Sequence, residues 1–236
     1  MGGFTMIGII GAMDEEIQLL KEGMDHVKET QKAGITYYSG TFHGKEIVLC
    51  KSGVGKVNAG VCTQILVDQF HVSKVIFTGV AGALNPQLEI GDIVISNACQ
   101  YHDLDASAVG FKKGEIPFSD KSVFEADPEL IGMAVEASKE VIEGKTMVGK
   151  ILSGDQFIAD RDVVKALHQD FQGDCTEMEG AAVAHVCDMN EIPFVIIRSM
   201  SDKADGSAHI NFPEFTVLAS NRSYEMVSIM LQRMGL

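Results

Sequence analysis

The sequence predicts an α/β protein, and two observations carry that reading. Apolar runs of strand length at 6–10, 74–78 and 194–198 alternate with segments whose apolar residues recur at helical spacing. The first and last of these runs are followed by acidic residues, Asp14-Glu15-Glu16 and Ser201-Asp202, where an α/β sheet presents its ligand-binding groups. With 236 residues and no shift in composition along the chain, one large domain is expected over 6–236. Residues 1–5 read as an extension or tag remnant, with Met6 as the natural start.

Taken in order, 6–10 is a buried strand closed by Gly11, and 14–22 is a helix carrying Ile17 and Leu20, with Met24 just beyond. Segments 35–42 and 46–51 read as a hairpin about His43-Gly44-Lys45. Ser52-Gly53-Val54-Gly55-Lys56 turns into a helix over 57–70, and 74–78 is a buried strand ending at Gly79-Val80-Ala81-Gly82. That succession is a βαβ unit. A strand at 92–98 precedes a polar stretch, 101–122, whose length and lack of pattern suggest a functional or interface loop. Asp127-Pro128 supplies a cap and a first-position proline to a helix reaching about 142. A strand at 147–152 leads into Ser153-Gly154-Asp155-Gln156-Phe157-Ile158. An acidic cluster then opens a helix over 181–186, 194–198 is a buried strand, and a last helix covers 213–234.

Lys plus Arg number 19 against 33 Asp plus Glu, and the net charge of −14 opposes binding to nucleic-acid phosphates and anionic membranes. No apolar run reaches the roughly 18 residues of a membrane helix, and no signal peptide is recognisable. Cys50, Cys62, Cys99, Cys175 and Cys187 are scattered without a C-x-x-C, which fits a reducing cytoplasm better than a disulfide framework. The 7 histidines show no metal-ligand spacing, so neither a metal nor another cofactor is expected.

Thr176-Glu177-Met178-Glu179-Gly180 is the most informative stretch. Glutamates at a helix start meet the positive end of its dipole. Beside two other acidic sites at strand ends, these suggest acid/base chemistry as well. Gly53-Val54-Gly55-Lys56 departs from the triphosphate loop G-x-x-x-x-G-K-[ST], since Val57 follows the lysine, so its glycines serve a tight turn or a close backbone approach. No serine lies in G-x-S-x-G. Phe157 suits either the core or a stack on a flat base.

Seven segments nevertheless occur together in one order: residues 9–16, 51–57, Thr78-Gly79-Val80-Ala81-Gly82, Gly91-Asp92-Ile93-Val94, 153–158, Glu177-Met178-Glu179 and Arg198-Ser199-Met200-Ser201-Asp202. As a set they closely resemble the 5′-methylthioadenosine/S-adenosylhomocysteine nucleosidases of the purine nucleoside phosphorylase-like superfamily. The resemblance runs from Met6 to the C-terminus. It implies a three-layer α/β/α domain around a twisted mixed sheet, of nucleoside phosphorylase-like fold, and hydrolysis of the adenine N9–ribose bond through an oxocarbenium-like transition state.

By that resemblance Asp202 is the acid facing adenine N7, oriented by Ser201, while Glu16 is the base that activates water and Arg198 helps hold that end of the site. Glu179 accepts hydrogen bonds from the ribose hydroxyls, Met178 packs on the sugar, and Glu177 and Val80 also count among the substrate-binding residues. Phe157 stacks on adenine and the Ile158 backbone reads its edge, with Val54 and Phe212 walling the 5′ substituent. Phe111 and Pro117 match positions donated across an interface, implying a homodimer with composite sites. Val80, where some relatives carry serine, and Ala106, where some carry valine, depart from the pattern and bear on substrate preference.

Three rivals follow. Phosphorolysis needs cationic donors, but related phosphorylases carry arginine where this chain has Phe77, and an anionic Glu16 repels phosphate. A binding protein without turnover would lack the acid or base, yet Glu16, Glu179 and Asp202 are all present. Other 5′ groups, such as aminofutalosine or 5′-deoxyadenosine, fit the same chemistry.

Overall fold

The computed structural model describes residues 5–203 and 208–235. Strand β1 (Ile7–Gly11) is buried throughout and feeds α1 (Asp14–Glu22). Strands β2 (Asp25–Lys32), β3 (Ile35–Phe42) and β4 (Lys45–Lys51) follow as antiparallel neighbours, and β4 lies parallel to β1. The predicted hairpin turns on His43 and Gly44, at φ 49° and 73°, the left-handed pair whose twist matches a two-residue connection. Helix α2 (Lys56–Phe70) returns the chain to β5 (Lys74–Ala83), parallel to β1, completing the βαβ unit. The order continues with β6 (Ile93–Tyr101), β7 (Val123–Glu125), α3 (Pro128–Val141), β8 (Thr146–Ser153) and α4 (Arg161–Phe171). It ends with β9 (Cys175–Glu177), α5 (Gly180–Met189), β10 (Phe194–Asp202) and α6 (Ala208–Arg233).

Successive strand residues point to opposite faces, and each face has its own core. Ile9, Ile76 and Val195 pack with Leu20 of α1, Leu130 of α3 and Met226 of α6. Ile10, Phe77 and Ile196 pack with Cys62 and Leu66 of α2 and Val183 of α5. The result is α/β/α layering around a mixed sheet. Within it β5 pairs with β10, β10 with β6, β6 with β8, β8 with β9, and β9 with β5 again. One half of the sheet therefore curls closed, while β1, β4, β3 and β2 extend it as an open edge.

Several boundaries differ from the sequence reading. Strands β5 and β10 overrun 78 and 198, because 79–82 pair with 198–202 although those segments are glycine-rich or polar. Strand β2 has no sequence signature, because it is exposed along nearly its whole length and shows no alternation. Helix α4 was also unexpected, although the Asp160 side chain caps it by accepting from the Asp162 and Val163 amides. The stretch 101–122 opens on the last residue of β6, Tyr101, and beyond it holds a 3₁₀ turn, Ser107–Val109, and no further strand. Helix α6 begins at Ala208, ahead of the expected start at Pro213.

Candidate active site

The glycine-rich end of β5 lines an open cavity of about 170 Å³ through Val80, Ala81 and Gly82. Four chain segments reach it from neighbouring strand ends. The β1–α1 junction brings Glu16, whose position in the first turn of α1 lets its carboxylate fold back over the helix start. Glu16 Oε2 accepts from the Ala12 and Met13 amides at 2.5 and 2.9 Å, and Oε1 accepts from the Val80 amide at 3.3 Å. Burial pushes the Glu16 pKa up, against the opposing pull of Arg198 and those amides. Capping and exposure to the cavity are thus properties of one side chain.

Strand β10 supplies Arg198, Ser201 and Asp202, all buried. A register shift against β5 falls between Met200 and Asp202, and this bulge lets the adjacent Ser201 and Asp202 side chains both meet the cavity. The Ser201 hydroxyl lies 2.8 Å from Asp202 Oδ2 and 3.4 Å from the Ala81 carbonyl. Gly79 leaves room for two of these side chains: a Cβ there would collide with Arg198 Nη1 and sit 2.7 Å from Glu16 Oε1. The Arg198 guanidinium also lies 3.9 Å over the Phe77 ring centre.

The third segment runs from β9 into α5 and carries Thr176, Glu177, Met178 and Glu179. Glu177 lines the cavity, yet its oxygens accept from the Gly180 amide, the Ser153 hydroxyl and the Arg198 guanidinium. Glu179 Oε1 accepts from the Gly55 amide at 2.8 Å. Its pKa is pushed up to about 7, first by burial and then by the charge of Glu177, with Arg198 opposing. For Arg198 itself, burial disfavours the charged form, but Glu177, Glu16 and Glu179 more than offset it and raise its pKa.

The fourth segment, after β8, brings Gln156, Phe157 and Ile158, while Val54 and Val80 add apolar wall. Phe157 is half-exposed rather than core, and Ile158 packs toward Leu152 and Leu167. The cavity therefore unites Glu16, Val54, Val80, Phe157, Ile158, Glu177, Met178, Glu179, Arg198, Ser201 and Asp202. Phe111 and Pro117 do not line it; the Phe111 ring meets Phe118 edge-on at 5.3 Å. The Phe212 side chain lies outside the described residues. Ala12, Met13, Ala81, Gly82, Gln156 and Thr176 also line the cavity and were not singled out from sequence. Most of these sit inside motif segments, but their exposure depends on strand pairing that periodicity does not reveal. Among the described residues no three His, Cys, Asp or Glu side chains converge so as to hold a metal ion, and no helix is long and apolar enough to cross a membrane.

Residues 6–232 match the phosphorylase superfamily, whose nucleoside phosphorylase-like α/β fold is the one described above. A 5′-methylthioadenosine/S-adenosylhomocysteine nucleosidase of Halalkalibacterium halodurans is 44% identical over 233 residues, spanning 98% of this chain and 100% of the relative. The nucleosidase of the same name from Neisseria meningitidis, solved with methylthio-immucillin-A, superposes with a TM-score of 0.92 at 38% identity, over 97% of this chain and 99% of that one. Futalosine hydrolase of Helicobacter pylori superposes with a TM-score of 0.92 at 35% identity, over 98% and 99%. The chain belongs to the 5′-methylthioadenosine/S-adenosylhomocysteine nucleosidases of that superfamily, and is an enzyme of the N-glycosyl hydrolase type.

Proposed function

We propose that this chain hydrolyses the N-ribosidic bond of 5′-methylthioadenosine and S-adenosylhomocysteine, releasing adenine and the 5′-thioribose. The observation that carries the reading is the charge balance of the cavity. Glu16, Glu177, Glu179 and Asp202 share it with Arg198, the cation among its described lining residues, and Glu177 already engages that cation. A developing ribosyl cation is stabilised in such surroundings, and an incoming phosphate is repelled.

Asp202 delivers the proton that makes adenine a leaving group, with Ser201 orienting its carboxyl. Glu16, its proton affinity raised by burial, takes the proton of the attacking water. Glu179 accepts the ribose hydroxyls, and Met178 packs on the sugar. Phe157 stacks on the base while the Ile158 backbone reads its edge. Glu177 acts through its neighbours, holding Arg198 and the start of α5 so that Glu179 faces the sugar. Phe77, wholly buried beneath Arg198, offers no cation for phosphate. The likeness to futalosine hydrolase supports a second reading for the 5′ group, in which a futalosine-type nucleoside such as aminofutalosine is also accepted. Val80 and Ala106 would tune that preference.

A homodimer with Phe111 and Pro117 completing the neighbouring site, and Phe212 walling the 5′ group, is part of the same proposal. The apolar side chains of Phe118 and Val57, 96% and 76% exposed, support a covered surface. A cytoplasmic role in methionine salvage and removal of S-adenosylhomocysteine follows from the substrates. The test is adenine release from 5′-methylthioadenosine by the purified chain in phosphate-free buffer. Sustained turnover is expected, and an absolute requirement for phosphate would overturn the hydrolytic reading.

A further inference from the structure

Gly53-Val54-Gly55-Lys56 has the composition of a phosphate loop without its spacing, and its donors hold something else. The Gly55 amide donates to Glu179 Oε1 and the Lys56 amide to Asp155 Oδ1, each at 2.8 Å. Amides at a helix start attract anions, and here the anions are the protein's own carboxylates. The Lys56 ammonium donates to both oxygens of Asp103, at 2.8 and 2.7 Å, and lies 3.6 Å from Asp155 Oδ2. Asp155 closes the triangle, its amide donating to Asp103 Oδ2 at 2.8 Å. The Lys56 and Asp103 side chains are 25% and 14% exposed, so solvent screens this pair only in part. Gly55 suits the junction, at φ 97° and with Asp155 Oδ1 3.1 Å from where a Cβ would stand.

Three segments of the cavity's surroundings are joined by this one side chain. The turn before α2 carries Val54 and the amide that holds Glu179. The turn after β8 carries Asp155 and then Phe157. The segment after β6 carries Asp103. We propose that Lys56 is a positioning residue that fixes the spacing between Glu179 and the Phe157 turn, and thereby sets affinity for the nucleoside rather than the rate of bond cleavage. The proposal rests on the reading of the cavity as a nucleoside site. Without the ammonium, Asp103 and Asp155 are left as neighbouring like charges, and the Phe157 turn moves away from the start of α2. Base stacking and the Gly55–Glu179 bond are lost together, while neither touches the breaking bond.

The test is steady-state kinetics on 5′-methylthioadenosine for the wild type, Lys56→Met and Lys56→Arg, with KM followed against pH. Lys56→Met should raise KM roughly tenfold, the scale of a hydrogen bond to a charged group, with kcat nearly unchanged. Lys56→Arg should restore most of the affinity. The pH midpoint of KM should rise in Lys56→Met, because Glu179 loses a donor that favours its ionised form. Asp155→Ala should show the same split, and the double variant should be no worse than the poorer single one. A folded Lys56→Met with wild-type KM, equal losses in kcat and KM, or effects of the two substitutions that simply add would overturn the proposal. If Lys56→Met does not fold, an unchanged KM in Asp155→Ala overturns it alone. A wild type that releases no adenine overturns the nucleoside reading itself, and this inference with it.

Discussion

Arg198 and Glu177 form an ion pair almost wholly removed from solvent, their side chains 1% and 3% exposed. Arg198 Nε donates to Glu177 Oε2 at 3.1 Å and Nη2 donates to the same oxygen. The Gly180 amide and the Ser153 hydroxyl complete the shell of Glu177, so the buried charges are matched by donors rather than left to Coulomb attraction alone.

Arg198→Met should therefore destabilise the protein by about 3–5 kcal/mol, because it strands Glu177 beside Glu16 and Glu179 without a counter-charge. Urea unfolding measures this. A loss below about 1 kcal/mol would place the pair among ordinary surface bridges and contradict its role.

Asp202→Asn should abolish glycosidic cleavage while leaving adenine binding largely intact. The amide keeps the shape of the carboxyl and its contact with Ser201, but has no acidic proton to give N7. Near-normal turnover would remove Asp202 from the mechanism.

Glu16→Gln should bind an inert adenosine analogue and fail to hydrolyse substrate. It should also lower stability by about 1–3 kcal/mol, since the glutamine NH₂ would face the Ala12 and Met13 amides or the Val80 amide, donor against donor. If only affinity falls, Glu16 is a binding residue.

Glu179 gives the site a pH dependence of definite sign. Its folded pKa of about 7 lies above the ordinary 4.5, so its contribution to stability is complete below 4.5 and lost as pH rises through 7. Binding runs the other way, because ionised Glu179 is the better acceptor for ribose hydroxyls. KM for the nucleoside should fall as pH rises through about 7, whereas adenine affinity, which does not involve Glu179, should not show that step. Glu179→Gln should flatten the profile, and an unchanged inflection in that variant would assign it to another group.

The elements legible in the sequence were those whose burial and periodicity agree. Strand β1 is a short apolar run, α3 opens on Asp127 and Pro128, and the β3–β4 turn carries glycine where a positive φ is needed. Strand β2 was illegible because an edge strand exposed on both faces has no reason to alternate. The far ends of β5 and β10 lie beyond the apolar runs because glycines break the run of β5 at 79–82, and the buried Ser199, Ser201 and Asp202 break that of β10, while pairing continues. The carboxylates were legible as clusters out of place at strand ends. Neither the bulge that turns Ser201 and Asp202 to the cavity nor the pairing that exposes Ala81, Gly82 and Thr176 has a sequence signal of its own.

The central claim is that water, not phosphate, attacks the sugar in a cavity where carboxylates outnumber the described cation. The most direct measurement is the mass of the sugar released from 5′-methylthioadenosine with phosphate present in excess. Free methylthioribose alone is the predicted product. Methylthioribose 1-phosphate would contradict the account.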